Sequence, residues 1–320
     1  MPETPPTQTD HPPLPVHIDS DGPFAGIATL TLEQPGSPVV VLDEPLIRRI
    51  EVALQSLPRA IAGFVLASAS PRVFIAGADL KTIQVQPADP EADRRLDAYL
   101  AYGQRVFGLI AALHCPTAAA IGGAALGGGL EIAMHCDALI GAPNASGKPY
   151  PIGLPEAGLA ICPGWGGTNL LPARVNPIEA IRRTCAGKPM IFDEAVEAKL
   201  FDSVASSPDA LLDSAKRWIV NARSGYAGGI PPRDGTPLRW IGRAETRAAI
   251  LSALEQLKPE LSPGASAFTP SARACVAAIT AGLERGWKSA LAVERRELVH
   301  LRGSSAGRAA IQAFFDRSKK

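Results

Sequence analysis

The 320-residue chain is short of cysteine, of aromatic residues and of net charge, and most of these shortages exclude something. Its five cysteines, Cys115, Cys136, Cys162, Cys185 and Cys275, are odd in number and contain no C-x-x-C pair. That argues against a disulfide frame or a zinc site and for buried free thiols in a reducing compartment. A formal net charge of +1 offers no basic field for nucleic acid or an anionic membrane surface. No uncharged apolar run approaches membrane-spanning length. The N-terminus, MPETPPTQTDHPPLP, has neither a basic start nor an apolar stretch, so it does not read as a secretory signal, and a cytoplasmic location is expected. Six prolines in those fifteen residues predict a disordered or extended tail over residues 1–20.

What remains is an ordinary globular composition, 46% apolar and 20% charged, long enough for a sizeable core. GIATLTLEQP reads as a strand, and SPVVVLDEPLIRRIEVALQSL as a β-branched strand running into an amphipathic helix capped by Asp43. IAGFVLASAS is a buried strand. Leu96, Leu100, Phe107, Ile110 and Leu113 mark a helical face, PTAAAIGGAA is a small-residue strand entering a glycine run, and DALIGAP is another strand. Alternation of this kind predicts an α/β fold with parallel strands over residues 21–205. From residue 206 to 320 the chain reads as a helical region, with one long helix over SARACVAAITAGLERGWKSALAVERRELVHL. The loop RSGYAGGIPPRDGTP interrupts it, and no internal repeat is present.

Several short motifs fail on inspection. G-x-G-x-x-G fits no register of the glycine run, since a match begun at Gly127 would need glycine at Ile132. APNASGKPY resembles a phosphate loop, but Ala142 and Pro149 stand where glycine and a hydroxyl belong. GSSAG matches a hydrolase elbow yet lies between helical stretches with no histidine after it, so a turn with Ser305 as capping residue is expected. The five histidines lack metal-ligand spacing; His114 and His135, each beside a cysteine, read as packed core residues, and no metal site is expected.

Two loops survive. IAGADLK and ALGGGLE each follow a strand and open a helix, so each presents a free backbone N–H where negative charge is favoured. Two such amides converging on one point make an oxyanion hole, and glycine permits the close approach. Glu131 in the second loop and Glu156 in PIGLPEAGLAICPGWGGT add two carboxylates in apolar surroundings, a set suited to proton transfer beside a carbonyl. Burial and mutual repulsion would raise the pKa of at least one. Taken singly, Glu131 also suits a helix's first turn, Glu156 a loop carboxylate bonded to amides, and the glycines close helix–strand packing.

Together, FIAGADLK, AALGGGLEIAMHCD and GLPEAGLAICPGWGGTNLLPARV resemble the crotonase superfamily of enoyl-CoA hydratases and isomerases, from about Gly26 to the C-terminus. The late segment AGLERGWKSALAVERRELVHLRGSSAGRAAIQAFF resembles the end of the hydratase half of multifunctional β-oxidation proteins, with their dehydrogenase half absent here. The resemblance implies a crotonase-like β-β-α spiral core, assembly as a homotrimer or hexamer, and an acyl-CoA thioester substrate in which coenzyme A is part of the substrate and no cofactor is needed. By position it places the amides of Ala78 and Gly128 on the thioester oxygen, Glu131 on the attacking water and Glu156 at the α-carbon. It further implies coenzyme A contacts at Ala76, Gly77, Asp79, Lys81 and Gly127, with Trp165 lining the acyl site where single-domain hydratases often carry a small residue. A separate 3-hydroxyacyl-CoA dehydrogenase is an implied partner. The expected activity is a 2-enoyl-CoA hydratase; a Δ3,Δ2-enoyl-CoA isomerase and a non-catalytic acyl-CoA-binding subunit are the alternatives. The extra length between Asp137 and Glu156 puts the placement of Glu156 and the shape of the acyl pocket in question.

Overall fold

The computed structural model describes residues 11–37, 39–84, 90–225 and 233–318, with Ser318 described by its backbone alone. Six strands form one sheet in the order Val16–Ile18, Ile27–Leu32, Gly63–Ser68, Thr117–Ile121, Ala138–Gly141 and Ser203–Val204. The first pair is antiparallel and the rest are parallel. A second sheet runs Val73–Ile75, Ala124–Leu126, Pro151–Gly153 and Met190–Ile191. This is the expected α/β fold.

The central strands of the larger sheet are covered on both faces, which is why Gly63–Ser68, Thr117–Ile121 and Ala138–Gly141 carry nearly continuous apolar runs in place of alternation with polar residues. Leu30, Leu32, Phe64, Leu66, Ala119, Ile121 and Leu139 face the main core. Their neighbours Ile27, Val65, Ala67, Ala118, Ala120, Ala138 and Ile140 face the other way, against Ala215 and Ile219 of the helix Leu211–Gly225. Alanines on that face let the helix sit close; a Cβ on Gly63 would overlap Ile219. Burying Ile219 contributes about 1.5–3 kcal/mol. That helix, the first of the helical region expected from residue 206, packs on the sheet.

The structure corrects several other expectations. Residues 1–10 of the expected tail lie outside the described residues, but 11–20 are held in place. Arg49 donates to the carbonyls of Pro12 (2.7 Å) and Glu33 (2.8 Å), Leu14 is buried, and Val16–Ile18 forms the edge strand. Val39–Val41 form no strand; the segment makes a single parallel bridge, Leu42 to Ala78, before the helix Glu44–Ser56 that Asp43 caps through the Leu46 N–H. PTAAAIGGAA splits into two strands of different sheets, broken at Gly122–Gly123, where a Cβ on Gly123 would lie 2.5 Å from the Arg72 carbonyl carbon. The long C-terminal helix is two, Pro270–Arg285 and Trp287–Arg302, separated by Gly286 at φ +86°. A glycine tolerates that dihedral and lets the second helix fold back on the first. Ser304, not Ser305, caps the last helix, Ser305–Ser318, accepting from the Gly307 N–H at 3.0 Å. His114 is exposed, whereas His135 is buried as expected. All five cysteines are buried and free. Residues 226–232 of the expected loop lie outside the described set. Among the described residues no helix is long and apolar enough to cross a membrane.

Candidate active site

A cavity of about 620 Å³ opens between the two sheets' loops and the C-terminal helices, a size suited to a small organic ligand. Its walls include every site residue expected from the sequence: Ala76, Gly77, Ala78, Asp79, Lys81, Gly127, Gly128, Glu131, Glu156 and Trp165. The segment between Asp137 and Glu156 has not displaced Glu156. The Tyr150 hydroxyl donates to Ile121 O (3.1 Å) and Ala142 O (2.7 Å), and the Asn144 amide donates to Gly122 O (3.1 Å), anchoring that segment to the sheet.

The first loop leaves the strand Val73–Ile75 and turns into the short helix Leu80–Ile83, capped by Asp79 through the Lys81 N–H (3.0 Å) and the Thr82 hydroxyl (2.8 Å). Leu42 donates to Gly77 O (2.9 Å) and accepts from Asp79 N–H (3.1 Å). In a parallel bridge the residue between those partners points its own N–H the other way, so the Ala78 amide is turned away from Leu42. There Gly127, at φ +52°, donates to Gly153 O (2.9 Å), and Gly128 opens the helix Gly128–Met134 with an N–H that has no intrahelical acceptor. Among the described residues neither the Ala78 nor the Gly128 N–H meets an acceptor. The loops abut: a Cβ on Gly77 would come 3.3 Å from Leu126 O.

Both carboxylates approach this junction. Glu131 is 1% exposed, and its Oε1 accepts from the N–H groups of Trp165 and Gly167, each at 2.8 Å. Glu156 begins a 3₁₀ turn, and its carboxylate sits against Gly127, where a Cβ would lie 2.6 Å from Oε1. Its Oε2 is buried without a partner among the described residues. Burial pushes the Glu131 carboxyl well above its ordinary range, helped by the negative charges of Glu156 and Glu294 and opposed by the Gly167 and Trp165 amides. Burial likewise pushes Glu156 up, its own backbone N–H opposing and the Glu294 charge adding. Carboxyls raised in this way keep a proton more readily than exposed ones, as acid–base chemistry at carbon needs. Among the described residues no three His, Cys, Asp or Glu side chains are disposed to hold a metal ion.

With this geometry in place, comparison with known proteins decides the family. Residues 24–224 match the family model described as enoyl-CoA hydratase/isomerase. The chain belongs to that family. Among solved structures, human mitochondrial delta3-delta2-enoyl-CoA isomerase is similar with a TM-score of 0.65 at 20% identity, covering 96% of this chain and 98% of that one. An enoyl-CoA hydratase from Bacillus halodurans is similar with a TM-score of 0.64 at 19% identity, covering 94% and 99%. An enoyl-CoA hydratase from Mycobacterium avium subsp. paratuberculosis follows at 0.59 and 20%, covering 95% and 96%. At these identities the likeness establishes the crotonase fold, which hydratases and isomerases share.

Trp165 is 1% exposed; its indole N–H donates to Leu100 O (3.1 Å), and a Cβ on Gly128 would overlap its ring. His135 packs edge-on to Phe107 and Trp287 with Nε2 3.2 Å from Trp165 O. Burial lowers its pKa to about 4, so the ring is neutral and donates. The residues missed in the sequence include Val41, Leu80, Leu100 and Leu159 on the cavity wall and, from the C-terminal helices, Leu298, Phe314 and Phe315 on the wall with Glu294 behind it. A signal for Glu294 existed. It lies within the helical stripe Trp287, Leu291, Leu298, Leu301, all buried, so a charge there faces inward.

Proposed function

We propose that this family member is a 2-enoyl-CoA hydratase, reversibly adding water across the conjugated double bond of an acyl-CoA thioester to give a 3-hydroxyacyl-CoA. The observation that carries this reading is that Ala78 and Gly128, whose amides meet no acceptor among the described residues, line one cavity together with the buried Glu131 and the half-buried Glu156. The thioester oxygen takes hydrogen bonds from Ala78 and Gly128, which become stronger as enolate charge develops; losing one such donor costs roughly 100- to 1,000-fold in rate. Glu131 holds water and takes its proton as oxygen attacks C3, while Glu156 delivers a proton to C2. The elements of water are thus added with no change of redox state. The exposed Lys81 and the Ala76–Asp79 backbone at the mouth receive the coenzyme A moiety. Assembly as a trimer or hexamer, a cytoplasmic location and transfer of product to a separate 3-hydroxyacyl-CoA dehydrogenase complete the proposal; light scattering tests the first.

Loss of ultraviolet absorbance of enoyl-CoAs of graded chain length is the direct test, run with Glu131→Gln and Glu156→Gln. Both variants are expected to lose hydration, and a wild-type protein that consumes none of these thioesters would sink the reading. One observation favours double-bond isomerisation as a second reading. Glu131 Oε1 is already spanned by two amides, whereas Glu156 keeps an unengaged oxygen able to shuttle a proton alone. An isomerase of that kind retains activity on 3-enoyl-CoA in the Glu131→Gln variant.

A further inference from the structure

Glu294 is fully buried in the helix Trp287–Arg302 and has no ion-pair partner among the described residues. A carboxylate in that position is costly unless its oxygens are fully used. They are: Oε2 accepts from the Gly166 N–H at 2.5 Å, and Oε1 from the Thr168 N–H at 3.0 Å and from the Thr168 hydroxyl. Four consecutive amides are therefore divided between two acids, Trp165 and Gly167 donating to Glu131 and Gly166 and Thr168 to Glu294. Gly166 makes the alternation possible at φ +104°. Gln104 ties the same loop from another side, donating to Gly164 O (2.8 Å) and Leu291 O (3.0 Å).

We propose that Glu294 is a positioning residue for the reaction: it grips Gly166 and Thr168 from behind and so fixes the peptide planes through which Trp165 and Gly167 aim the Glu131 carboxylate into the cavity. This rests on the hydratase reading, in which Glu131 orients water. The titratable groups facing Glu294 are Glu131, Glu156, Cys162 and Cys275, while the adjacent Arg295 is turned to Asp97 and Gln104. Burial raises the Glu294 carboxyl to about 7, and its three donors oppose that rise.

The test is steady-state hydration by the full chain across pH. Glu294→Gln places an amide NH₂ against a backbone N–H, and a displacement of this kind next to the chemistry costs about 100-fold in kcat. KM for the thioester should stay within about 2-fold, because no substrate contact is removed. Removing a buried negative charge eases ionisation of Glu131 and Glu156, so the rate limb they set should move to lower pH. If that variant does not fold, Thr168→Val against Thr168→Ser decides the matter: valine should lower kcat about 10-fold with a displaced limb, and serine should restore both. A folded Glu294→Gln protein with wild-type kcat and an unmoved limb, equal behaviour of the two Thr168 variants, or parallel losses in kcat and KM tracking instability would each overturn the proposal. Absence of hydration in the wild type would remove the hydratase reading and this inference together; turnover with unaffected variants removes this inference alone.

Discussion

The turns Ala76–Ala78 and Gly127–Gly128 bring only alanine and glycine to the cavity, whereas the C-terminal helices bring Leu298, Phe314 and Phe315. The first wall is made of strand-to-helix turns whose peptide planes are set by local hydrogen bonds: the Leu42 bridge at Ala78, and Gly153 O at Gly127. The second wall is assembled by packing between segments more than a hundred residues apart. A wall of the first kind tolerates little displacement, because glycine positions leave no spare space; a wall of the second kind changes shape with each side chain.

Substitution in the first wall should break the site most severely. Gly127→Ala brings a Cβ to 2.6 Å from Glu156 Oε1 at a left-handed φ, and about a 100-fold fall in kcat is expected from the displaced carboxylate. Wild-type kcat would show that Glu156 does not need its present place. The next effect concerns the seam where the two regions share buried acid. Glu131, Glu156 and Glu294 all have folded-state pKa values raised above the ordinary carboxyl value, so folding favours their protonated forms. Their contribution to stability is present at pH below the unfolded value and is lost as pH rises from there through the raised values, at about 1.4 kcal/mol per pH unit for each proton retained. The midpoint of thermal unfolding should fall from about pH 5 toward neutrality, and Glu156→Gln or Glu294→Gln should flatten the fall; a rise with pH would contradict the assignment.

Smaller effects should sharpen the contrast. Phe314→Ala with Phe315→Ala should raise KM up to about 10-fold, most for the longest acyl chains, with kcat retained. Unchanged KM across chain lengths would place the acyl group elsewhere. Ser304→Ala removes the cap of the last helix and should cost about 1 kcal/mol in denaturant titration without altering turnover in the first wall.

The first wall was legible in the sequence because its chemistry and its local structure share the same few residues. IAGADLK and ALGGGLE each contain a strand end, a turn and a helix start, so the residues named from them all reach the cavity. The second was legible only in part. Glu294 shares a helical stripe with buried apolar residues, but what it meets there, the loop Gly164–Thr168, lies more than a hundred residues away in the chain. The same limit explains the smaller departures. Whether Val39–Val41 pairs as a strand depends on its neighbours, and the helix over 270–302 breaks because Gly286 permits a turn that packing then uses. His114 and His135 look alike in sequence, and it is the rings of Phe107 and Trp287 and the Trp165 carbonyl that set the buried one apart.

The bridge from Leu42 to Ala78 has an evolutionary corollary. What it orients is a peptide bond, common to nineteen of the twenty residue types, so the identity of residue 78 can drift while its unpaired hydrogen persists. Proline alone abolishes that hydrogen. Side-chain scanning of the turn will therefore underreport its importance, and replacing the amide by an ester linkage is the substitution that would reveal it.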